Sequence, residues 1–115
     1  MQTIISPLNL RQNIMMFMIT FRSRLPEQKD ETTQKLDAAI SALGPKSGGF
    51  FDGVWMVQVN LNAANIRDLL RANLNPGDRI FVARISQNWA GINMGDKFPD
   101  WLKGRSFGKF INSEE

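Results

Sequence analysis

The side chains of this 115-residue chain best suited to hold a ligand are basic, and they fall into two clusters. Guanidinium groups donate paired hydrogen bonds to phosphate, and interleaved basic and aromatic side chains are typical of single-strand nucleic-acid binders. Both clusters are therefore candidate phosphate contacts. The first comprises Arg22 and Arg24, and the second, near the C-terminus, comprises Lys97, Lys103, Arg105 and Lys109.

The aromatic residues of the C-terminal cluster have two interpretations. They either stack on nucleotide bases or fasten the C-terminal segment to the rest of the fold while the lysines face water. We favour packing, because large aromatic side chains are more often buried than displayed. The residues concerned are Trp89, Trp101 and Phe107.

Composition narrows the catalytic chemistry available to the chain. It has no cysteine, histidine or tyrosine, which excludes thiol nucleophiles, imidazole bases and ordinary structural zinc sites. The carboxylates Asp52, Asp68 and Asp78 stand at no spacing that forces two of them together. We interpret Asp52 and Asp78 as turn residues and Asp68 as a helix-surface charge near Arg71.

The overall charge gives little further guidance. Fourteen basic against eleven acidic residues give a formal net charge of +3, which is ordinary for a solvated surface. Any affinity for anions must therefore come from local clusters.

Periodicity and turn signals predict the elements that position these residues. Residues 13–21 form an apolar run of strand length. A helix follows, with Asp30 as the expected N-cap and Gly44-Pro45 as the stop signal. Its predicted core face comprises Leu36, Ala39, Ile40 and Leu43.

The second half of the predicted fold begins with a hairpin. Phe50-Phe51 is expected to form a short strand that turns at Asp52-Gly53 into a long strand at residues 54–59, because Asp-Gly between apolar runs favours a two-residue type I′ turn. Asn62 is the expected N-cap of a second helix, and residues 79–85 form the last strand. The remaining tail is expected to be irregular.

This order of elements predicts an α+β domain with the ferredoxin-like βαββαβ plan, in which two helices lie on one face of a four-stranded antiparallel sheet. We divide the chain into an N-terminal extension at residues 1–13, the ferredoxin-like domain at 14–86 and a tail at 87–115. The tail is expected to pack on the sheet or on a dimer partner, with the option of adding a strand.

The predicted first and third strands are apolar on both faces, whereas a two-layer domain leaves one face of its sheet in water. Burying about 500 Å² of apolar surface is worth about 12 kcal/mol before association costs. Either a two-fold partner or the chain's own tail must cover this face, and we favour a homodimer. The expected dimer-interface residues are Met16, Met18, Val54 and Met56.

Four segments of the chain resemble the SinR-like family of small prokaryotic proteins, which is similar in fold to the small CRISPR-associated endoribonuclease (the second Cas protein) and to VapD-type toxins. The segments are VWMVQVN at residues 54–60, IRDLL at 66–70, LNPGDRIFV at 74–82 and NWAG at 88–91. The resemblance covers about residues 14–103. It implies a homodimer, with sheets or last strands exchanged between protomers, in a defence or mobile-element setting.

The same resemblance implies a metal site at the end of the first strand. The CRISPR-associated nucleases carry a Tyr-Asp pair there, and the two aspartates of the dimer converge on Mg²⁺. In this chain Phe21 stands near the tyrosine position and Arg22 stands in place of the aspartate. Because an arginine cannot ligate a cation, we assign no catalytic or metal residue, and no cofactor unless the nuclease alternative holds.

The leading hypothesis is a cytoplasmic, non-catalytic module that binds RNA, DNA or a protein partner. The alternatives are a Mg²⁺-dependent endoribonuclease and a structural interaction module without affinity for nucleic acid. An RNA-recognition domain fits less well, because the glycines and aromatics of residues 49–55 do not follow its signature. The apolar stretch at 14–19 is too short to cross a membrane, so no membrane partner is expected.

Overall fold

A computed structural model describes residues 14–108 of the chain. It contains four strands, three α-helices and one 3₁₀ turn at Pro26–Gln28. In chain order the elements are β1 (Met15–Arg22), α1 (Lys29–Ser41), β2 (Lys46–Gly48), β3 (Val54–Val59), α2 (Ala63–Arg71), β4 (Arg79–Ile85) and α3 (Lys97–Lys103).

The strands form one antiparallel sheet in the order β2-β3-β1-β4. The central strand β1 pairs with β3 from Met15↔Val59 onward and with β4 up to Arg22↔Arg79. A central position suits β1 because its side chains are apolar on both faces of the sheet. The predicted α+β class and four-stranded antiparallel sheet are confirmed, and the arrangement is compatible with the ferredoxin-like plan.

One face of the sheet forms the larger core with α1 and α2. Alternate residues of β1 and β3 point to this face, as the period of two in a strand requires. Each helix contributes two residues to this core, and the two are four positions apart. One apolar face of each helix therefore packs on the sheet. The buried residues are Phe17, Ile19, Phe21, Trp55, Val57 and Val59 from the strands and Leu36, Ile40, Ile66 and Leu70 from the helices.

Part of the opposite face of the sheet is covered by the chain's own tail. Leu102 of α3 and Phe107 form a second buried cluster with Met16 and Met56. Met16 is fully buried and Met56 is 7% exposed. Of the two coverings considered from the sequence, the tail is the one seen in the structure. Met16 and Met56, expected at a dimer interface, lie beneath it, whereas Met18 and Val54 are half-buried. The homodimer stays a prediction.

The hairpin prediction was wrong in its short strand and its turn. The short strand is β2, and Gly48 pairs with Trp55, so Phe50-Phe51 lies in the connecting loop. Gly53 has a φ of +68°, but Asp52 is not among the described residues with positive φ, so a type I′ turn is not formed. Gly48 fits this pairing because a Cβ on it would lie 2.7 Å from the Trp55 ring.

Two further predictions were wrong: the N-cap of α1 and the irregular tail. Asp30 lies within the first turn of α1 and does not cap it; the N-cap residue is Gln28. The helix ends before Gly44, whose role is to let the backbone pass close to the Gln58 carbonyl oxygen. The tail, expected to be irregular, contains α3.

The N-cap of α2 was predicted correctly. The Asn62 side chain accepts a hydrogen bond of 2.8 Å from the backbone N–H of Asn65.

Among the helices of residues 14–108, none is long and apolar enough to cross a membrane.

Candidate functional site

A groove of about 640 Å³ lies where the end of β1, the start of β4 and the C-terminal part of α2 meet. We call it the arginine groove, because its walls include four arginines from three elements: Arg22, Arg67, Arg71 and Arg79. Among residues 14–108, Asp78 is the one carboxylate that lines it. Of the described residues that the sequence singled out as phosphate contacts, only Arg22 lies in it.

Arg22 and Arg79 face each other directly across the β1–β4 ladder. Both are exposed, and neither makes an ion pair or a hydrogen bond to another side chain within residues 14–108. Like charges directly opposite each other on a sheet are destabilising. The β1–β4 register therefore places two arginines opposite each other, and no acidic side chain of residues 14–108 forms an ion pair with either of them.

Arg67 and Arg71 are held on one face of α2 by their spacing of four and by a shared carboxylate. One oxygen of Asp68 accepts from Arg67 Nε at 3.0 Å and from Arg71 Nη2 at 3.3 Å. The hydrogen bond from Arg67, helped by the charges of both arginines, holds the pKa of Asp68 below its ordinary value. A guanidinium has five N–H donors, so each arginine keeps donors for a second anion.

Both oxygens of the Asp78 carboxylate accept hydrogen bonds from backbone N–H groups near the turn before Arg79. One oxygen accepts from the backbone N–H of Arg24 at 2.9 Å and the other from that of Asn75 at 2.9 Å. Arg24 itself donates from Nε to the Pro76 carbonyl oxygen at 3.1 Å. Arg24, expected to contact phosphate, thus joins the start of the β1–α1 connection to the turn before β4.

An aromatic ring completes the arginine groove. Phe81 is two residues beyond Arg79 on the same face of β4, and it is 64% exposed. A phenylalanine of this exposure at an edge strand contributes little to the core. It offers a flat apolar surface next to the cationic groups.

In the C-terminal cluster, unlike at Arg22 and Arg79, two of the basic side chains have partners within the tail. Lys97 and Lys103 are exposed on α3, where Lys103 pairs with Asp100 at 3.6 Å. Arg105 donates from Nε to the Trp101 carbonyl oxygen at 3.0 Å and lies over the Trp101 ring at 4.9 Å. Lys109 lies outside the described residues.

The aromatic residues of this tail are mostly engaged in packing. The Phe98 ring stacks on Phe50 at 4.1 Å, and Phe107 is buried against the sheet. Trp89 differs from the packing interpretation, because it is 42% exposed. The tail thus has few aromatic surfaces left for bases.

Two further carboxylates, Asp37 and Asp52, each form an ion pair with a lysine. Asp37 accepts from Lys46 Nζ at 2.6 Å and from Trp55 Nε1 at 3.0 Å, and these hydrogen bonds, Lys46 first, lower the pKa of Asp37. Asp52 pairs with Lys29, which raises the pKa of Lys29. Within the described part of the chain, no three side chains of the acidic, histidine or cysteine type form a group that could hold a metal.

The groove residues that the sequence interpretation missed are Arg67, Arg71, Arg79 and Phe81. The spacing of four between Arg67 and Arg71 is visible in the sequence and places both on one face of a helix. Arg79 and Phe81 could have been found from the alternation in RIF at residues 79–81, which places a charge and a ring on one face of a strand. Their proximity to Arg22 depends on the β1–β4 register, which has no local signal.

Comparison of the chain with models of protein families, with curated proteins and with solved structures found no match. The resemblance to the SinR-like family therefore stays a prediction.

Proposed function

We propose that this protein binds single-stranded RNA or DNA in the arginine groove and performs no chemistry on it. The observation that carries the proposal is the direct opposition of Arg22 and Arg79 across the sheet. Two unpaired guanidinium groups in this arrangement oppose folding, and an anion between them removes that repulsion. The phosphate of a nucleic-acid backbone is an anion whose geometry suits the paired donors of guanidinium groups.

The arginine groove also supplies what a single strand needs beyond one phosphate. Arg67 and Arg71 add cationic groups from α2, which packs on the other face of the sheet from Arg22, Arg79 and Phe81, so a strand that reaches both sets passes around the edge strand β4. Phe81 offers the flat surface on which a base stacks, and stacking contributes about 1–3 kcal/mol per base. A basic groove with a stacking ring favours single strands over duplexes, whose bases are already stacked.

The broader assignment is part of the same proposal. A ferredoxin-like plan is supported by the sheet order and by the packing of α1 and α2 on one face. The SinR-like family and its defence or mobile-element setting are supported by the sequence resemblance alone, and a cytoplasmic location is supported by the lack of cysteine. This mode of binding does not require the homodimer predicted from the sequence, because all of its residues lie in one chain.

We do not propose the metal-dependent endoribonuclease as a second function. The position that would hold the metal carries Arg22, and its neighbour across the ladder is another arginine. Two guanidinium groups repel Mg²⁺, and the carboxylate of the arginine groove, Asp78, already accepts hydrogen bonds from two backbone N–H groups.

The proposal is tested by the salt dependence of binding to a fluorescent single-stranded oligonucleotide. Each phosphate contact contributes about 0.7 to the slope of log K against log salt. We expect Arg22→Gln and Arg79→Gln each to weaken binding about fivefold at 0.1 M salt and to reduce the slope by about 0.7. Fluorescence anisotropy measures both quantities.

The matched controls are Lys97→Gln and Lys103→Gln, which remove the same charge from α3. They are expected to change affinity less than the groove variants do. Equal losses from both sets would show that only net charge matters. Binding that depends on α3 and not on the groove would reject the proposed site.

A further inference from the structure

A second groove, of about 360 Å³, adjoins the arginine groove. Its walls are the end of β1, the 3₁₀ turn before α1 and the turn before β3. The two grooves share Phe21 and Arg22, so Arg22 lies at the junction between them. A chain of phosphates bound at Arg22 therefore has a continuous path into the second groove.

The second groove holds one further cation, Lys29, whose ammonium group is paired with Asp52. The pair is open to solvent: the side chain of Lys29 is 44% exposed and that of Asp52 is 82% exposed. Ion pairs of this kind contribute about 0–1 kcal/mol, so Lys29 can leave Asp52 for a stronger anion at small cost. Asp52, in contrast, repels any phosphate that enters.

We propose that the second groove is a further phosphate subsite for the same single strand, in which Lys29 exchanges the Asp52 carboxylate for a backbone phosphate. The Lys29–Asp52 pair limits how tightly that phosphate is held. This inference rests on the proposed function, because it extends the path of the strand beyond Arg22.

Asp52→Asn tests the exchange. The variant frees Lys29 and removes the repelling charge, while asparagine remains suited to the turn before Gly53. We expect affinity for a single strand to rise about fivefold at 0.1 M salt and the salt slope to steepen by about 0.7, the effect of one more phosphate contact.

Glu31→Gln is the matched control. Like Asp52→Asn, it removes one negative charge, but from α1, and it frees Lys35 from an exposed i,i+4 ion pair. Neither Glu31 nor Lys35 lines either groove. A gain from Asp52→Asn equal to that from Glu31→Gln would overturn the inference, because net charge alone would then account for both.

Two further measurements identify Lys29 as the group responsible. In the Asp52→Asn background, Lys29→Gln is expected to cancel the gain. The gain is also expected to depend on ligand length. It should be absent for a mononucleotide and grow along a series from about 4 to about 16 nucleotides, the range of site sizes for small single-strand binding folds. A gain that survives Lys29→Gln, or is the same at every length, contradicts the subsite.

Failure of this inference and failure of the proposed function have different signatures. If Arg22→Gln and Arg79→Gln weaken binding while Asp52→Asn has no effect, the arginine groove stands and the second subsite falls. If the arginine variants have no effect, the proposed function falls whatever Asp52→Asn does.

Discussion

At the scale of the residue, the feature that sets this protein apart is the opposition of Arg22 and Arg79 across β1 and β4. In folding terms the pair is unfavourable, because directly opposed like charges destabilise a sheet. If the pair serves ligand binding, removing one of its charges should raise the stability of the fold and lower the affinity for the ligand. A structural pair would lose stability instead.

We expect Arg22→Gln to raise the free energy of unfolding by about 0.5 kcal/mol while it weakens nucleic-acid binding, since it removes repulsion from the ladder. Urea denaturation monitored by tryptophan fluorescence measures the change. Arg24→Gln serves as the control and should lower stability, because Arg24 Nε donates to the Pro76 carbonyl oxygen. Loss of stability in Arg22→Gln would mean that Arg22 has a structural partner.

The sequence pointed to Arg22 because it follows an apolar strand, but it did not pair Arg22 with Arg79. The two residues are far apart in the chain, and only the strand register brings them together. The same limit applied to Arg24, whose neighbour Asp78 is reached through the fold and not through local sequence.

At the scale of the element, Asp37 joins α1 to two strands. Its carboxylate accepts from Lys46 of β2 and from the Trp55 indole of β3. The short strand β2 was missed in the sequence because Lys-Ser-Gly has little strand propensity. What holds it in place is its pairing with β3 and this bond to α1. By contrast, the cap of α2 at Asn62 was predictable, because capping is a local interaction.

The Asp37 link predicts a dependence of stability on pH. Its pKa is lowered from 3.8 by the hydrogen bond from Lys46, so the carboxylate stabilises the fold above that pH and its contribution is lost as the pH falls through the lowered value. Asp37→Asn is expected to cost about 1 kcal/mol or less at neutral pH, because the group is partly exposed.

The difference between the wild type and Asp37→Asn should shrink from about pH 5 downward and disappear in strong acid. Denaturation with urea at a series of pH values measures it. Asp30→Asn, on the same helix, is the control. A difference that stays constant with pH would show that Asp37 acts through shape and not through charge.

At the scale of the whole molecule, the tail packs on the second face of the sheet and buries part of it. The two-sided apolar pattern of β1 and β3 predicted that something must cover this face. It could not decide between the tail and a second copy, because both would bury the same methionines. The position of α3 over Met16 and Met56 was therefore beyond the sequence pattern.

We expect Leu102→Ala to lower the free energy of unfolding by about 2–5 kcal/mol, the usual cost of truncating a buried leucine. Leu69→Ala, whose side chain is 55% exposed on α2, is the control and should cost about 0.5 kcal/mol or less. Urea denaturation at several protein concentrations gives both values. A cost that depends on concentration would show that the tail packs on a partner, as the dimer prediction allows.

The central claim is that the arginine groove, and not the tail, contacts a single strand of nucleic acid. The most direct measurement is an NMR titration of the ¹⁵N-labelled protein with a single-stranded oligonucleotide, which reports each backbone amide separately. The account predicts that the largest shifts fall at the end of β1, in α2 and at the start of β4, around Arg22, Arg71 and Phe81. Shifts confined to α3 and the residues after it, or no shifts at low salt, would contradict it.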